Sequence, residues 1–387
     1  MSRVHATHRL LGLACAATTL VVGQVPPAHA ADYSILSEST VIGRNYGLPG
    51  VGPGVPKTPV GEVDVLIETA WYFKNMELLG LDTINGETLY GVLVPMRFLY
   101  RQSSDLQIEI GAVLGQDFGD SDRLSTTDPL FRLSYEPTDD VFIIAGTILP
   151  THWIHDAILD DTWKLRGPVE QGFQLRVDRR RFKTDTWINW RVKESQWDPE
   201  EFEIASSNQL RFFDEGLWLD LQAMWSHVGG QITLSERLEN NLSYNAGASW
   251  GVDSIEAMGL LSGFRIGGHL LYTRVDGRNL DTETGHGWEV TGALDFDLPF
   301  DILGRIDASY FSGNDVRTFR GDSLYWLDNY TQFGGVLVFK PLTGIQIETG
   351  IAGQHTDSEL NFSYWVNITW GGAFKTGLKP RLAAPSA

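Results

Sequence analysis

From about Val65 to Phe374 the chain alternates apolar residues with polar or small ones, in runs of roughly ten, and this period of two limits the fold more than any other feature. Leu242, Tyr244, Ala246, Ala248 and Trp250 fall on one face of an extended segment, with Ser243, Asn245, Gly247 and Ser249 on the other. The pattern repeats with Leu106, Ile108, Ile110, Ala112 and Leu114, and again with Trp288, Val290, Gly292, Leu294 and Phe296. A helix would scatter these residues around its axis, whereas a strand sorts them onto two faces. One face suits lipid and the other suits water.

Past the N-terminus, no stretch reaches the roughly 18 to 20 continuous apolar residues of a spanning helix. A chain that spans a membrane without one does so as a closed barrel, which leaves no backbone polar group unpaired in lipid. The N-terminus fits export. Arg3 and Arg9 precede the apolar run Leu10 to Val22, and Ala28-His29-Ala30 supplies small residues for cleavage after Ala30, so residues 1–30 read as a signal peptide. Cys15 raises a lipoprotein alternative, but Gly12 stands where a lipobox usually has Leu. The formal net charge of -19, two units more negative once Arg3 and Arg9 are removed, argues against a nucleic-acid partner.

Residues 31–64 do not alternate, and their run from Gly47 to Pro59 is too rich in Gly and Pro for a helix or central strand; it reads as a periplasmic or luminal segment. Residues 65–374 divide into about sixteen strands, and 375–387 form a C-terminal tail. The connections sort by parity. Those after even strands are mostly short, such as 102–104, 137–140 and 341–343, while those after odd strands, such as 117–128, 150–171, 229–240, 276–286 and 313–329, are long and charged. The expected fold is therefore all-β, a transmembrane antiparallel up-and-down barrel with both termini periplasmic. The irregular connection 253–263 leaves the strand count uncertain by two.

Trp71, Tyr72, Tyr90, Tyr100, Trp225, Trp250, Tyr272, Trp288, Tyr310 and Trp370 gather toward strand ends on the apolar face, the headgroup level where amphipathic rings belong. The last run, Leu360, Phe362, Tyr364, Val366, Ile368, Trp370, Gly372 and Phe374, resembles the C-terminal strand of bacterial outer-membrane barrel proteins. That resemblance is porin-like and topological, covers nearly the whole mature chain, and implies outer-membrane lipid and the outer-membrane assembly machinery as partners. The tail beyond Phe374 departs from it. Porins of this size are often trimers, and no interface pattern is visible here.

Opposite the apolar face lie Arg97, Arg132, Arg176, Arg180, Arg191, Lys193 and Arg211, interleaved with Glu109, Asp185, Asp220, Glu289 and Asp295. These are the expected pore-lining residues of a wet lumen, since unpaired ions facing a dry core cost several kcal/mol each. About sixteen strands enclose an aqueous channel. The bases either orient anionic solutes or form cross-strand salt bridges. In porins of this layout the loop after the fifth strand narrows the pore. Here it carries Trp153, Asp156, Asp160, Asp161 and Trp163, apolar enough for partial burial, with acids that could face the arginines.

The expected function is thus a passive channel for small hydrophilic solutes, with no chemical step, cofactor or metal. A polymer-export pore, an envelope enzyme and a barrel plugged by residues 31–64 are the alternatives. For an enzyme, Ser249 with His269 is the best pair. His152, His155 and Asp156 lack a fourth ligand or fixed spacing, and Gly247-Ala-Ser249-Trp-Gly251 sits inside a strand rather than at a strand-helix corner.

Overall fold

The computed structural model describes residues 58–378, apart from 79–83, 85, 122–123, 213–215, 233–237, 253–259, 279, 343–344 and 357–358. The signal segment, most of the Gly/Pro-rich stretch, the tail from residue 379 and most of the irregular connection lie outside the described residues.

Sixteen antiparallel strands close into one barrel, each paired with its sequence neighbours and the first with the last. In chain order they are β1 (Val63–Glu77), β2 (Glu87–Arg101), β3 (Leu106–Asp117), β4 (Thr126–Thr138), β5 (Val141–Thr147), β6 (Gln171–Arg179), β7 (Phe182–Val192) and β8 (Glu200–Phe212). The second half comprises β9 (Leu217–Gly229), β10 (Glu239–Val252), β11 (Leu261–Gly277), β12 (Leu280–Leu298), β13 (Ile302–Asn314), β14 (Asn329–Leu342), β15 (Ile345–Thr356) and β16 (Glu359–Leu378).

Burial follows the alternation, inverted relative to a water-soluble protein. Along β10, Asn241, Ser243, Asn245 and Ser249 are buried, while Tyr244 and Trp250 are exposed. Leu221, Leu270 and Phe173 are more than 60% exposed, which only hydrocarbon makes favourable over so many strands. This is an outer-membrane-type β-barrel.

Three differences from expectation have physical causes. Tyr72 faces inward, buried, with its hydroxyl on Asp117, because even positions of β1 point into the lumen. The long loop expected at 276–286 is instead a tight connection, since Gly277 pairs with Leu280 and the ladder runs on. Likewise β16 continues past Phe374 to Leu378, pairing with Val63 where a tail was expected.

At β5 the wall gives way to the interior. Gly146 has φ +93°, and a Cβ there would strike the Phe131 carbonyl, so the position requires glycine. Beyond it the chain leaves the sheet and runs into the barrel. Ile148 donates its N–H to the Glu170 carbonyl (2.9 Å), closing the base of an inserted loop, 148–170, that includes one short helix, α1 (Trp163–Arg166).

Candidate functional site

The loop fills the lumen with apolar side chains. Ile148, Leu149, Ile158, Leu159 and Leu165 pack against inward residues of the wall, among them Leu93, Val113, Ile144, Trp187, Met224, Val338 and Trp365. A second loop, between β13 and β14, also turns inward. Val316, Leu324 and Tyr325 join Ala157, Phe311 and Tyr330 in another buried cluster, with a 3-10 turn at Ser323–Trp326 capped by Asp322.

The two loops bond to each other. Asp160 N–H and the Trp163 indole both donate to the Arg320 carbonyl (2.7 and 2.8 Å), and Asp322 N–H donates to the Asp156 carbonyl (2.8 Å). The Arg320 guanidinium lies 3.7 Å over the Trp163 ring and ion-pairs with Glu203 on β8 (2.8 Å).

Three contacts anchor the first loop to the wall. His152 stacks on Trp187 (3.7 Å, 13°), with one ring nitrogen on Glu170 (2.7 Å) and the other on Asp185 (2.9 Å). His155 meets Glu289 (2.8 Å) and tilts against His269, while Tyr325 donates to the same carboxylate (3.1 Å). The Trp153 ring lies beneath Arg176 (3.8 Å), and its carbonyl accepts from Ser207 and Gln222.

Burial opposes the charge on His152, but its two carboxylates outweigh that and push it up to about 9. Because the folded value is raised above the ordinary 6.5, this anchor is fully present below about pH 6.5 and is lost as pH rises through about 9. Between pH 7 and about pH 10 the thermal midpoint of the wild type should therefore fall more than that of His152→Gln. Parallel curves would remove the anchor from the account.

Most of the expected wall residues face inward and are buried in ion pairs and hydrogen bonds. Arg97 pairs with Glu68 and with Glu109 (3.1 Å), and Glu109 with Arg132 (3.2 Å), all buried. Arg132 also donates to the carbonyls of Thr147 and Ile148, fixing the point where the first loop leaves the sheet. Arg176, Asp185, Asp220 and Glu289 are buried, and Asp295 holds Arg305 (2.6 Å). Arg191 pairs with Glu201 at the loop end, Arg211 lies over Trp218, and Lys193 and Arg180 sit exposed just beyond the ends of β7 and β6. Within the first loop Asp160 accepts from Thr162 and Asp161 pairs with Lys164; the rings of Trp153 and Trp163 are what meet arginines. Ser249 and His269 are both buried in the filled lumen, where His269 contacts Asn245.

A second constellation, missed in the sequence, lies outside the barrel. At the loop-end rim of β7 to β11, Trp190 pairs in register with Phe202, Phe202 with His227, His227 with Asn240, and Asn240 with Asp276. All five have outward parity, immediately above the belt that includes Trp225, Tyr244 and Tyr272. His227 Nδ1 is 2.8 Å from Asn240 Oδ1, Asn240 Nδ2 is 3.1 Å from Asp276, and Arg274 closes on Asp276 at 3.0 Å.

The hydrogens of this row follow from its neighbours. Trp225 Nε1 can only donate and lies 3.2 Å from Asn240 Oδ1, while the Asp276 carboxylate can only accept from Asn240 Nδ2. Asn240 therefore presents its oxygen to His227, which donates from Nδ1. Gly229 lies buried beside this ring, where a Cβ would meet Leu238 Cδ1 at 2.7 Å and His227 Nε2 at 2.9 Å. Sequence parity identifies His227 as outward-facing, but the row depends on a register across four ladders that no local pattern encodes.

The fold and this rim define a membrane barrel with two loops packed inside it and a polar cluster on its outward-facing edge. A family model described as lipid A 3'-O-deacylase-type matches residues 55–338. The chain belongs to that family. This corrects the expectation that no chemical step is involved, because the family is named for an enzyme activity.

Among solved structures, a loop L8 deletion mutant of OmpT, an outer membrane protein of Vibrio cholerae, is 10% identical with a TM-score of 0.50, over 80% of this chain and 99% of that one. An anion-selective porin from Comamonas acidovorans is 10% identical with a TM-score of 0.48, over 80% of this chain and 100% of that one. At such identity the first likeness shows the barrel fold alone. No curated protein matches the sequence.

Proposed function

We propose that this barrel is an outer-membrane hydrolase that removes ester-linked acyl chains from a glycolipid of the outer leaflet, working at its lipid-facing surface and not through its lumen. The observation that carries the reading is the match of the deacylase-type family model to residues 55–338. The filled lumen supports it, since two interlocked loops occupy the path a solute would take. In this reading the long-loop end faces the exterior and the termini the periplasm. The rim row of His227 then lies at the outer-leaflet headgroup level, where acyl esters sit.

Purified protein in mixed micelles with an acylated glycolipid should release free fatty acid from ester linkages and leave amide-linked chains in place. No release above a heat-denatured control would overturn the proposal. Ion conductance by the intact protein would support a solute channel instead.

A further inference from the structure

We infer that a pocket on the inner side of the wall at β1, β15 and β16 seats one monovalent alkali cation, which pins the first loop to that seam. The pocket is lined by Glu348 and Asn367 together with Tyr72, Gln346, Thr369 and Leu165. It has about 10 Å³ of free space, room for one water-sized guest. The lining is not wall alone. Leu165 belongs to α1, so an ion bound there touches the loop and the barrel at once.

Three observations point to a cation. The first is a pair of orphaned acceptors. Glu348 is 3% exposed and Asn367 5%, and Glu348 Oε1 takes the Trp365 indole N–H (3.1 Å) and the Asn367 amide N–H (3.5 Å). Among the described residues no donor reaches Glu348 Oε2 or Asn367 Oδ1. The second is charge. The foremost charges acting on Glu348 are Lys164 and Asp161, which are already paired with each other (2.8 Å), so the carboxylate has no counter-ion of its own among the described residues. A buried charge left in that state is costly. The third is the donor set. The Thr369 hydroxyl gives its proton to the Gln346 carbonyl (3.5 Å), which leaves its lone pairs for the pocket. Carboxylate, amide and hydroxyl oxygens are the atoms that replace the hydration shell of an alkali cation.

Other guests answer only part of this. A proton on Glu348 cancels the charge but supplies one donor for two orphaned oxygens, and a water molecule supplies two donors but leaves the charge. A cation between the two oxygens satisfies both. A divalent ion is a poorer fit, because such ions gather several carboxylates, and among the described residues no group of three or more acidic, histidine or cysteine side chains is placed to hold a metal. Glu348, Asn367, Gln346 and Thr369 all lie beyond residues 55–338, so the seat belongs to the closing strands of this chain and not to the part that the family model matches.

The test compares the full-length protein in micelles in sodium chloride, potassium chloride and N-methyl-D-glucamine chloride at equal ionic strength, the last cation being too large for the pocket. A ligand held only by the folded barrel raises its thermal midpoint, by about 2 °C for each tenfold rise in the ion above its dissociation constant in a chain of this length. The wild type should show that rise with an alkali chloride and not with N-methyl-D-glucamine. Glu348→Gln, which keeps the shape and removes the charge, should show none. Deuterium exchange of the 161–167 amides in the wild type should be faster in N-methyl-D-glucamine, because α1 then loses its tie to the wall. If Glu348→Gln fails the heat-dependent gel shift of a folded barrel, Asn367→Ala takes its place with the same loss expected. Equal wild-type midpoints in all three salts would overturn the inference and leave the pocket to water or a proton. An alkali-specific rise undiminished in the variants would overturn it as well, by placing the ion elsewhere. Neither result bears on the deacylase reading.

Discussion

Excising both inserted loops should turn a silent barrel into one that conducts. Replacing 150–168 and 316–327 with short Gly/Ser linkers removes the side chains that now fill the lumen, including Ile158, Leu159, Leu165, Leu324 and Tyr325. The strand ladder beneath does not depend on them, because each strand pairs with its neighbours around a closed circuit. A barrel of about sixteen strands is wide enough for water once its contents are gone. In planar bilayers the intact protein should be silent, and the excised form should show discrete steps of porin size. Removing only 150–168 should give smaller steps, since the second loop still crosses the interior. Conductance by the intact protein would mean that the loops do not close the lumen.

Arg97→Ala should produce the largest loss of stability. Its guanidinium joins Glu68 and Glu109, and Glu109 joins Arg132, in a buried network where every member is at most 3% exposed. Removing the cation leaves Glu68 without its counter-charge and Glu109 with Arg132 alone. Breaking a buried pair in this way costs about 3–5 kcal/mol. Replacing the pair together, as Glu68→Gln with Arg97→Met, leaves Glu109 on Arg132 and should recover much of that loss, because the cost comes from stranded charge and not from absent attraction. Urea midpoints of the three proteins in micelles measure both effects, and an unchanged midpoint for Arg97→Ala would contradict them.

How much of this was readable in the sequence depended on which solvents a residue meets. Strands such as β10 and β3 have lipid on one face and protein on the other, so alternation marked them within a residue or two. The start of β12 lacks that signal. Thr282 and Thr284 belong to a ladder beyond the hydrocarbon, where an outward polar residue costs nothing and the segment resembles a loop. The inserted loop after β5 was legible from its own apolar residues, Trp153, Ile154, Ile158, Leu159 and Trp163.

Its partners were not. Leu93, Trp187 and Met224 face inward where a wet lumen would want polar groups, and only the packed loop explains them. The loop from 315 to 328 carries Arg317 and Arg320 and looked like an ordinary charged connection, yet Arg320 is buried on Trp163. The rim row was hidden for a further reason. Its members are separated by up to 86 positions, between Trp190 and Asp276, and become neighbours only through strand register.

The central claim is that the barrel edits a lipid and does not pass a solute. Mass spectrometry of the outer-membrane glycolipid from cells with and without this protein tests it most directly. The account predicts a species lighter by one ester-linked acyl chain wherever the protein is produced. Identical glycolipid in both strains, together with solute uptake that depends on the protein, would contradict it.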